Sequence, residues 1–434
     1  MRAVYADVAI GGAIIAEDDL IGELCGICHE IRLPIMSRQR PWVAYVGPFP
    51  YPEGAAASRR VRGVAESLSL AGFDVVVASG AGQSLREEGR LVPQGDGIAY
   101  CLLTERVAEH WPRPLRRLRY VRMGGRTVEW LGSRPTLPKA VILYGGYTPY
   151  LRQLLPWCRL KGVRLLFDAV EWYEPTRAWG YLISPYQWNI ELAMRYLIPK
   201  VDGVIAISSY LADYYRLRGR PAIVVPPTTR EISHGAWKPA QTLRLAFAGA
   251  PGHIDGLGYK DDFAVVLSSV AGLAARGAPI HLTVAGPHPL AVHRMLDVKA
   301  NQDLSWLSTP GCLSRTEVQT LVGLSDFTIL VRQRTRLSTA GFPTKFVESF
   351  AAGTPVIGNL TSDLAEHLRD GKTGLVCSDA SVESVSSTLE RALSLDIRHI
   401  REMRTACIDH ARSAFHPAIY AHALRDLIQV ETTT

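Results

Sequence analysis

The chain has 434 residues, 47% of them hydrophobic and only 21% charged, which is long and apolar enough for two or three globular domains with sizeable cores. No run of eighteen apolar residues occurs, which argues against a spanning helix, and seven scattered cysteines argue against a disulfide framework. The net charge of +7 is uneven: residues 42–226 carry 24 Lys and Arg against 15 Asp and Glu, residues 227–434 carry 20 of each, and the first 41 carry 4 against 6. A basic excess in one half calls for an acidic partner there, such as phosphate, membrane lipid or nucleic acid.

Residues 1–41 join no series of strands or helices and are expected to be an extension, either disordered or lying ahead of a start at Met36. They lack a basic stretch followed by an apolar run and a small-residue cleavage site, so cytoplasmic placement is expected. Cys25-Gly-Ile-Cys28-His29 has the spacing of c-type haem attachment. That chemistry needs an exported chain, and the match reads as coincidence.

From Trp42 onward, short Val- and Ile-rich runs alternate with longer amphipathic stretches. WVAYVG (42–47), DVVVAS (74–79), AVILYG (140–145), VRLLFDAV (163–170), GVIAIS (203–208) and AIVVPP (222–227) read as buried parallel strands. Residues 55–72 and 147–162 read as two of the helices between them. TTREISHGAWKPAQT (228–242) breaks the pattern and reads as a linker. LRLAFAG (243–249), HLTVAG (281–286), DFTILV (326–331), PVIGN (355–359) and GLVCS (374–378) then form a second series, and the last fifty residues read as helices. The expected class is α/β: two Rossmann-like, doubly wound domains (42–227 and 243–415) facing across a cleft, with a C-terminal helix (416–434) returning to the first domain. Ligands of such sheets sit outside the carboxyl ends of the strands, so the cleft is the default site.

The run STAGFPTKFVESFAAGTPVIGN (338–359) follows a predicted strand. RTRLSTAG reads as a loop and FPTKFVESFAAG as a helix with Pro343 in its first turn. A helix amino terminus attracts anions, Lys345 adds a charge, and Thr344, Lys345 and Glu348 can share one side. A carboxylate one turn deeper suits a vicinal diol such as that of ribose. The same spacing also suits a core helix with an i,i+3 ion pair. AGAPGHIDGLGYKD (248–261) is a second glycine-rich loop, with Gly249 at its start and Lys260 near its end; it is neither a Walker A motif nor a dinucleotide fingerprint.

In the first half, Gly54 stands at the entrance of a helix as another candidate anion or sugar loop. LLFDAVEWYEP sets Asp168 and Glu171 beside Trp172 and Tyr173 at a strand end, which suits either sugar hydroxyls or helix capping. Arg113, Arg116, Arg117, Arg119, Arg122 and Arg126 interleave with apolar residues, a pattern fitting either an anionic membrane surface or a solvated helix. No reading motif for nucleic acid accompanies them, so no nucleic-acid partner is expected.

Taken in order, AGFPTKFVES, GTPVIGN and DLAEHLRDGKTGL resemble retaining glycosyltransferases of the GT-B fold, glycosyltransferase family 4, and the resemblance extends over residues 42–430. It implies metal-independent transfer, with no cofactor, of a sugar from a nucleotide-diphosphate donor to a glycan or lipid-linked acceptor, in surface or exopolysaccharide biosynthesis. By position it makes Glu348 the ribose-binding carboxylate. It places Gly249, Gly341, Phe342, Pro343, Thr344 and Lys345 around the sugar and diphosphate. It pairs Lys260 with the diphosphate, with His253, or Arg332 or Arg334 from another strand end, sharing the work of an arginine that the family has and this loop lacks. Lys260, Arg332 and Glu348 are thus the expected catalytic group, and Gly54, Asp168 and Glu171 the expected acceptor or sugar contacts. The family's second glutamate, eight residues before the first, is here Ala340. That departure leaves open a non-catalytic sugar-nucleotide binder, and a non-hydrolysing sugar-nucleotide epimerase of the same fold stays open beside it.

Overall fold

A computed structural model describes residues 40–54, 56–81, 89–105, 120–174, 185–249, 261–296 and 304–430. Within them the chain forms two sheets. The first comprises β1 (Trp42–Gly47), β2 (Asp74–Ser79), β3 (Val92–Gly95), β4 (Ile98–Leu102), β5 (Ala140–Tyr144), β6 (Arg164–Ala169), β7 (Gly203–Ala206) and β8 (Ala222–Val224). Its order is β3-β4-β2-β1-β5-β6-β7-β8, parallel throughout except for the antiparallel β3–β4 edge. The second comprises β9 (Leu243–Ala248), β10 (Ile280–Ala285), β11 (Leu307–Gly311), β12 (Phe327–Leu330), β13 (Val356–Asn359) and β14 (Gly374–Cys377), in the order β11-β10-β9-β12-β13-β14.

The central strands are the Val- and Ile-rich runs visible in the sequence, buried on both faces. Three strands are not legible that way. Val92-Pro93-Gln94-Gly95 is an exposed edge strand with a proline, Ile98–Leu102 pairs beside it, and Leu307-Ser308-Thr309-Pro310-Gly311 is a half-exposed edge. In each sheet the order reverses beside the first strand of its domain, so the crevices open at the carboxyl ends of β1/β5 and β9/β12.

The helices that bear on the site are α1 (Ala56–Leu70), α2 (Tyr147–Lys161), α3 (Ser209–Arg216), α4 (Arg336–Ala340), α5 (Thr344–Ala351), α6 (Ile397–Ala414) and α7 (Ala421–Gln429). Helix α1 buries Val61, Val64 and Leu68 on Val43, Tyr45, Val75 and Val77 of the first sheet. Leu424, Leu427 and Ile428 of α7 enter that same cluster, so the end of the chain covers the first sheet. The segment 228–242 has neither helix nor strand. It runs along the second domain through Ser233 N–H to the Ala351 carbonyl (3.0 Å) and Gly235 N–H to Ala352 (3.2 Å).

Two local expectations need correction. The stretch read as a loop before Gly341 contains α4, because Thr335 and Ser338 cap each other reciprocally, with Thr335 N–H to Ser338 Oγ at 2.9 Å and Ser338 N–H to Thr335 Oγ1 at 3.1 Å. Pro343 lies just outside α5 rather than in its first turn: its backbone is extended (ψ 114°), and its carbonyl accepts from Phe346 N–H. Among the described residues no helix is long and apolar enough to cross a membrane.

Candidate functional site

The site is best read from the carboxyl edge of the second sheet. Gly249 follows β9 with φ 114°, and Gly286 follows β10 with φ 118°. A Cβ on Gly249 would stand 2.8 Å from Lys345 Cε, and one on Gly286 would stand 3.0 Å from the Gly249 carbonyl carbon. At Gly249 the positive φ calls for glycine, and a Cβ there would push the end of the lysine side chain aside. Lys345 Nζ lies 4.1 Å from the centre of the Phe247 ring and donates to Asp261 Oδ2 at 2.6 Å. Asp261 Oδ1 accepts from Arg332 Nε at 2.8 Å, and the Arg332 backbone N–H donates to Asn359 Oδ1 at 2.9 Å.

These contacts set the charges. Burial alone would raise the Asp261 carboxyl, but Arg332 and Lys345 outweigh it and hold the group below the usual aspartate range. Lys345 is lowered too, but for a different reason: burial disfavours its charge, and the neighbouring Asp261 offsets this only in part. The result is a compact group of two cations on one buried carboxylate, at the end of β12 and the start of α5.

In α5, Phe346, Val347, Ser349, Phe350 and Ala351 are buried, while Thr344, Lys345 and Glu348 are the half-buried residues. The phenylalanines pack on Phe342, His367 and Phe415, which fixes the rotation of the helix. Three residues expected to share one side do so. Gly341, Phe342 and Pro343 are buried in the turn just before them. Glu348 carries a further contact from the first domain: Arg59 Nε of α1 lies 2.8 Å from Glu348 Oε1. Burial raises the Glu348 carboxyl above the usual glutamate range, against the opposing pull of Arg59, Arg315 and Lys345.

The first domain presents the opposite wall. Gly54 precedes α1, and a Cβ there would meet Ser58 Oγ at 2.3 Å. Asp168 does not face the cleft, contrary to the expectation for a sugar contact. It is fully buried, with Oδ1 and Oδ2 bound by Arg60 Nη2 (2.8 Å) and Nε (3.2 Å), and Oδ2 also accepts from the Tyr45 hydroxyl. Its valences are used to hold α1, since Arg60 also donates to the carbonyls of Val225 and Pro226. Glu171 does face the other domain: its Cγ is 3.7 Å from where a Cβ on Gly341 would lie. Burial and the Glu171 charge both push the Tyr144 phenol, at the end of β5, up. Just after it, Gly145, Gly146 and Tyr147 have φ of 63°, 66° and 41°, a strained turn leading into α2.

Polar contacts hold the two domains together around the site. Arg336 of α4 donates to Glu191 Oε1 at 2.8 Å and to the Tyr173 carbonyl at 2.7 Å, with its guanidinium 4.8 Å from the Trp172 ring centre. Ser208 Oγ donates to the Ala340 carbonyl at 2.7 Å, and Ser209 donates through N–H (2.7 Å) and Oγ (2.5 Å) to Asp363. Arg59, Arg336, Asp261, Asn359 and Ser208 were not singled out by sequence reasoning. Only Asp261, adjacent to Lys260, carried a local signal. His253 and Lys260 lie outside the described residues, as do Arg113, Arg116, Arg117 and Arg119; Arg122 is exposed and Arg126 half-buried.

Known proteins share this fold. The glycosyl transferases group 1 model matches residues 254–414, and the glycosyl transferase 4-like domain model matches residues 55–228. The sucrose-phosphate synthase of Thermosynechococcus elongatus superposes with a TM-score of 0.64 at 13% identity, over 89% of this chain and 98% of that one. Anabaena Alr3699/HepE, in complex with UDP and glucose, gives 0.62 at 10% identity over 90% and 100%. The alpha,alpha-trehalose-phosphate synthase (UDP-forming) of Burkholderia xenovorans, in complex with glucose-6-phosphate, gives 0.61 at 12% over 89% and 99%. A comparison with curated proteins finds no match. One glycosyltransferase model falls on each domain and both sheets follow the GT-B architecture: the chain is a GT-B glycosyltransferase.

Proposed function

We propose that the protein transfers a hexose from a nucleoside-diphosphate sugar to a glycan or lipid-linked acceptor, with retention of anomeric configuration and without a metal, as a member of glycosyltransferase family 4 in surface polysaccharide assembly. The observation that carries the donor half is Lys345 and Glu348 one turn apart on the half-buried face of α5, at the carboxyl edge of the second sheet. Lys345 and Arg332 stabilise the departing diphosphate, and Glu348 accepts hydrogen bonds from the ribose diol. Fixed cations suit this step because they need no reorganisation as charge develops on the leaving oxygen.

The acceptor oxygen bonds to the anomeric carbon on the face from which the carbon–oxygen bond to phosphate breaks. The hydroxyl proton passes to the departing phosphate oxygen. Glu171, reaching the Gly341 turn from β6, is the contact for hydroxyls of the reacting sugars. Asp168 has no part in it.

The acceptor side is proposed to face anionic lipid at the cytoplasmic surface of a membrane. Trp188, Leu192 and Tyr196, spaced four apart, are 55%, 45% and 64% exposed, with Arg122 and Arg195 exposed nearby. Tyr120 connects the two segments through the Asn189 side chain, which donates to its hydroxyl at 2.6 Å. Aromatic residues with flanking cations suit an interfacial surface.

The test of the transfer is product analysis with a panel of nucleotide sugars, with and without glycan and polyprenyl-phosphate-linked acceptors, and the new linkage read by NMR. Donor conversion without an acceptor would instead identify an epimerase. Co-sedimentation with phosphatidylglycerol vesicles, lost in Trp188→Ser/Tyr196→Ser, tests the membrane face.

A further inference from the structure

Arg59 is a cation of the first domain placed inside the donor site of the second. Its neighbour Arg60 is locked by Asp168 and by the carbonyls of Val225 and Pro226, so α1 cannot turn, and Arg59 is held pointing across the cleft. Its Nε lies 2.8 Å from Glu348 Oε1, yet this buried N–H forms no hydrogen bond of acceptable geometry. The contact is therefore a Coulombic pair without its directional bond, weaker than a well-formed Arg–carboxylate fork. Asp261 already holds the two cations of the second domain, Lys345 and Arg332.

We infer that Arg59 is a diphosphate ligand contributed by the first domain, exchanged from the Glu348 carboxylate onto the phosphates when a nucleotide binds. The inference rests on the donor reading of Glu348. A ribose diol and the Arg59 guanidinium need the same carboxylate. A diphosphate beside Lys345 offers the guanidinium two or more anionic oxygens and restores the aligned hydrogen bonds that Glu348 does not give it. The swap frees Glu348 for the diol and makes a residue of the first domain part of donor recognition. It also supplies a cation from across the cleft to a site whose own two cations are paired with Asp261.

The exchange predicts opposite signs for two ligands that differ only in phosphate. Calorimetric titration of wild type, Arg59→Ala and Arg59→Lys would use uridine with UDP, guanosine with GDP and adenosine with ADP, continuing with the pair that binds wild type. Arg59→Ala is expected to weaken the diphosphate at least tenfold and to leave the nucleoside unchanged or bound severalfold tighter; Arg59→Lys should recover part of the diphosphate affinity. Unliganded melting curves establish that the variants are folded, and Arg59→Gln replaces the alanine if it is not. Equal weakening of both ligands, or no change in either, overturns the exchange while leaving the donor site standing. Equal tightening of both makes Arg59 a competitor only, which also overturns it. If wild type binds no nucleoside diphosphate, the donor reading fails and the inference falls with it.

Discussion

The Lys345 ammonium donates to Asp261 Oδ2 at 2.6 Å while Arg332 Nε occupies the other oxygen, so one buried carboxylate positions both cations of the proposed donor site. Removing it should cost more than removing either cation, because two buried positive charges would then face each other. Asp261→Asn is expected to destabilise the fold by about 3 kcal/mol, in the range for breaking a buried ion pair by deleting one partner. Lys345→Met leaves Asp261 paired with Arg332 and should cost less. Chemical denaturation of the two variants checks the ranking; equal stability would show that Asp261 is not the organising group.

Arg336, the first residue of α4, ties that helix to the first domain through Glu191, the Tyr173 carbonyl and the Trp172 ring. Arg336→Ala removes two hydrogen bonds and a cation–π contact, an expected loss on the order of 2 kcal/mol in the coupling of the domains. The resulting opening should appear as a larger radius of gyration in X-ray scattering. An unchanged scattering profile would mean that the apolar contacts alone hold the domains.

His367 and His410 are hydrogen-bonded to each other at 2.9 Å behind α5, among Phe342, Phe346, Phe350 and Phe415. Burial, then the charges of His410 and Arg369, lower His367 to about 4. The folded state therefore resists a proton that the unfolded chain accepts near 6.5, its ordinary value. Stability is full above about pH 6.5 and falls as the pH drops towards 4, by on the order of 2 kcal/mol. His367→Phe keeps an aromatic ring in the cluster and should flatten this part of the curve. Melting temperatures of the two proteins between pH 4 and 7.5 measure it.

The central strands were legible because burial on both faces demands continuous Val and Ile, as in Val43–Val46 and Val75–Ala78. That Thr344, Lys345 and Glu348 share one side of α5 was legible from their spacing, but the same spacing also suits a core helix with an i,i+3 ion pair. Asp168 was misread because a carboxylate at a strand end looks the same whether it meets a ligand or a partner. Its partner Arg60 is 108 residues away in sequence. Arg59, Ser208 and Arg336 were invisible for a related reason: each acts across the cleft, on a residue of the other domain. The exposed edges β3 and β11 escaped notice because prolines and polar side chains erase the strand pattern there.

The donor reading of Glu348 can be tested most directly by comparing UDP, or the nucleoside diphosphate that binds, with its 2′,3′-dideoxy form on wild type and Glu348→Ala. If the carboxylate accepts the ribose hydroxyls, wild type should favour the natural nucleotide by at least tenfold, corresponding to about 1.4 kcal/mol. Glu348→Ala should bind both forms weakly and without preference. An alanine variant that still prefers the ribose form as strongly as wild type would contradict the account.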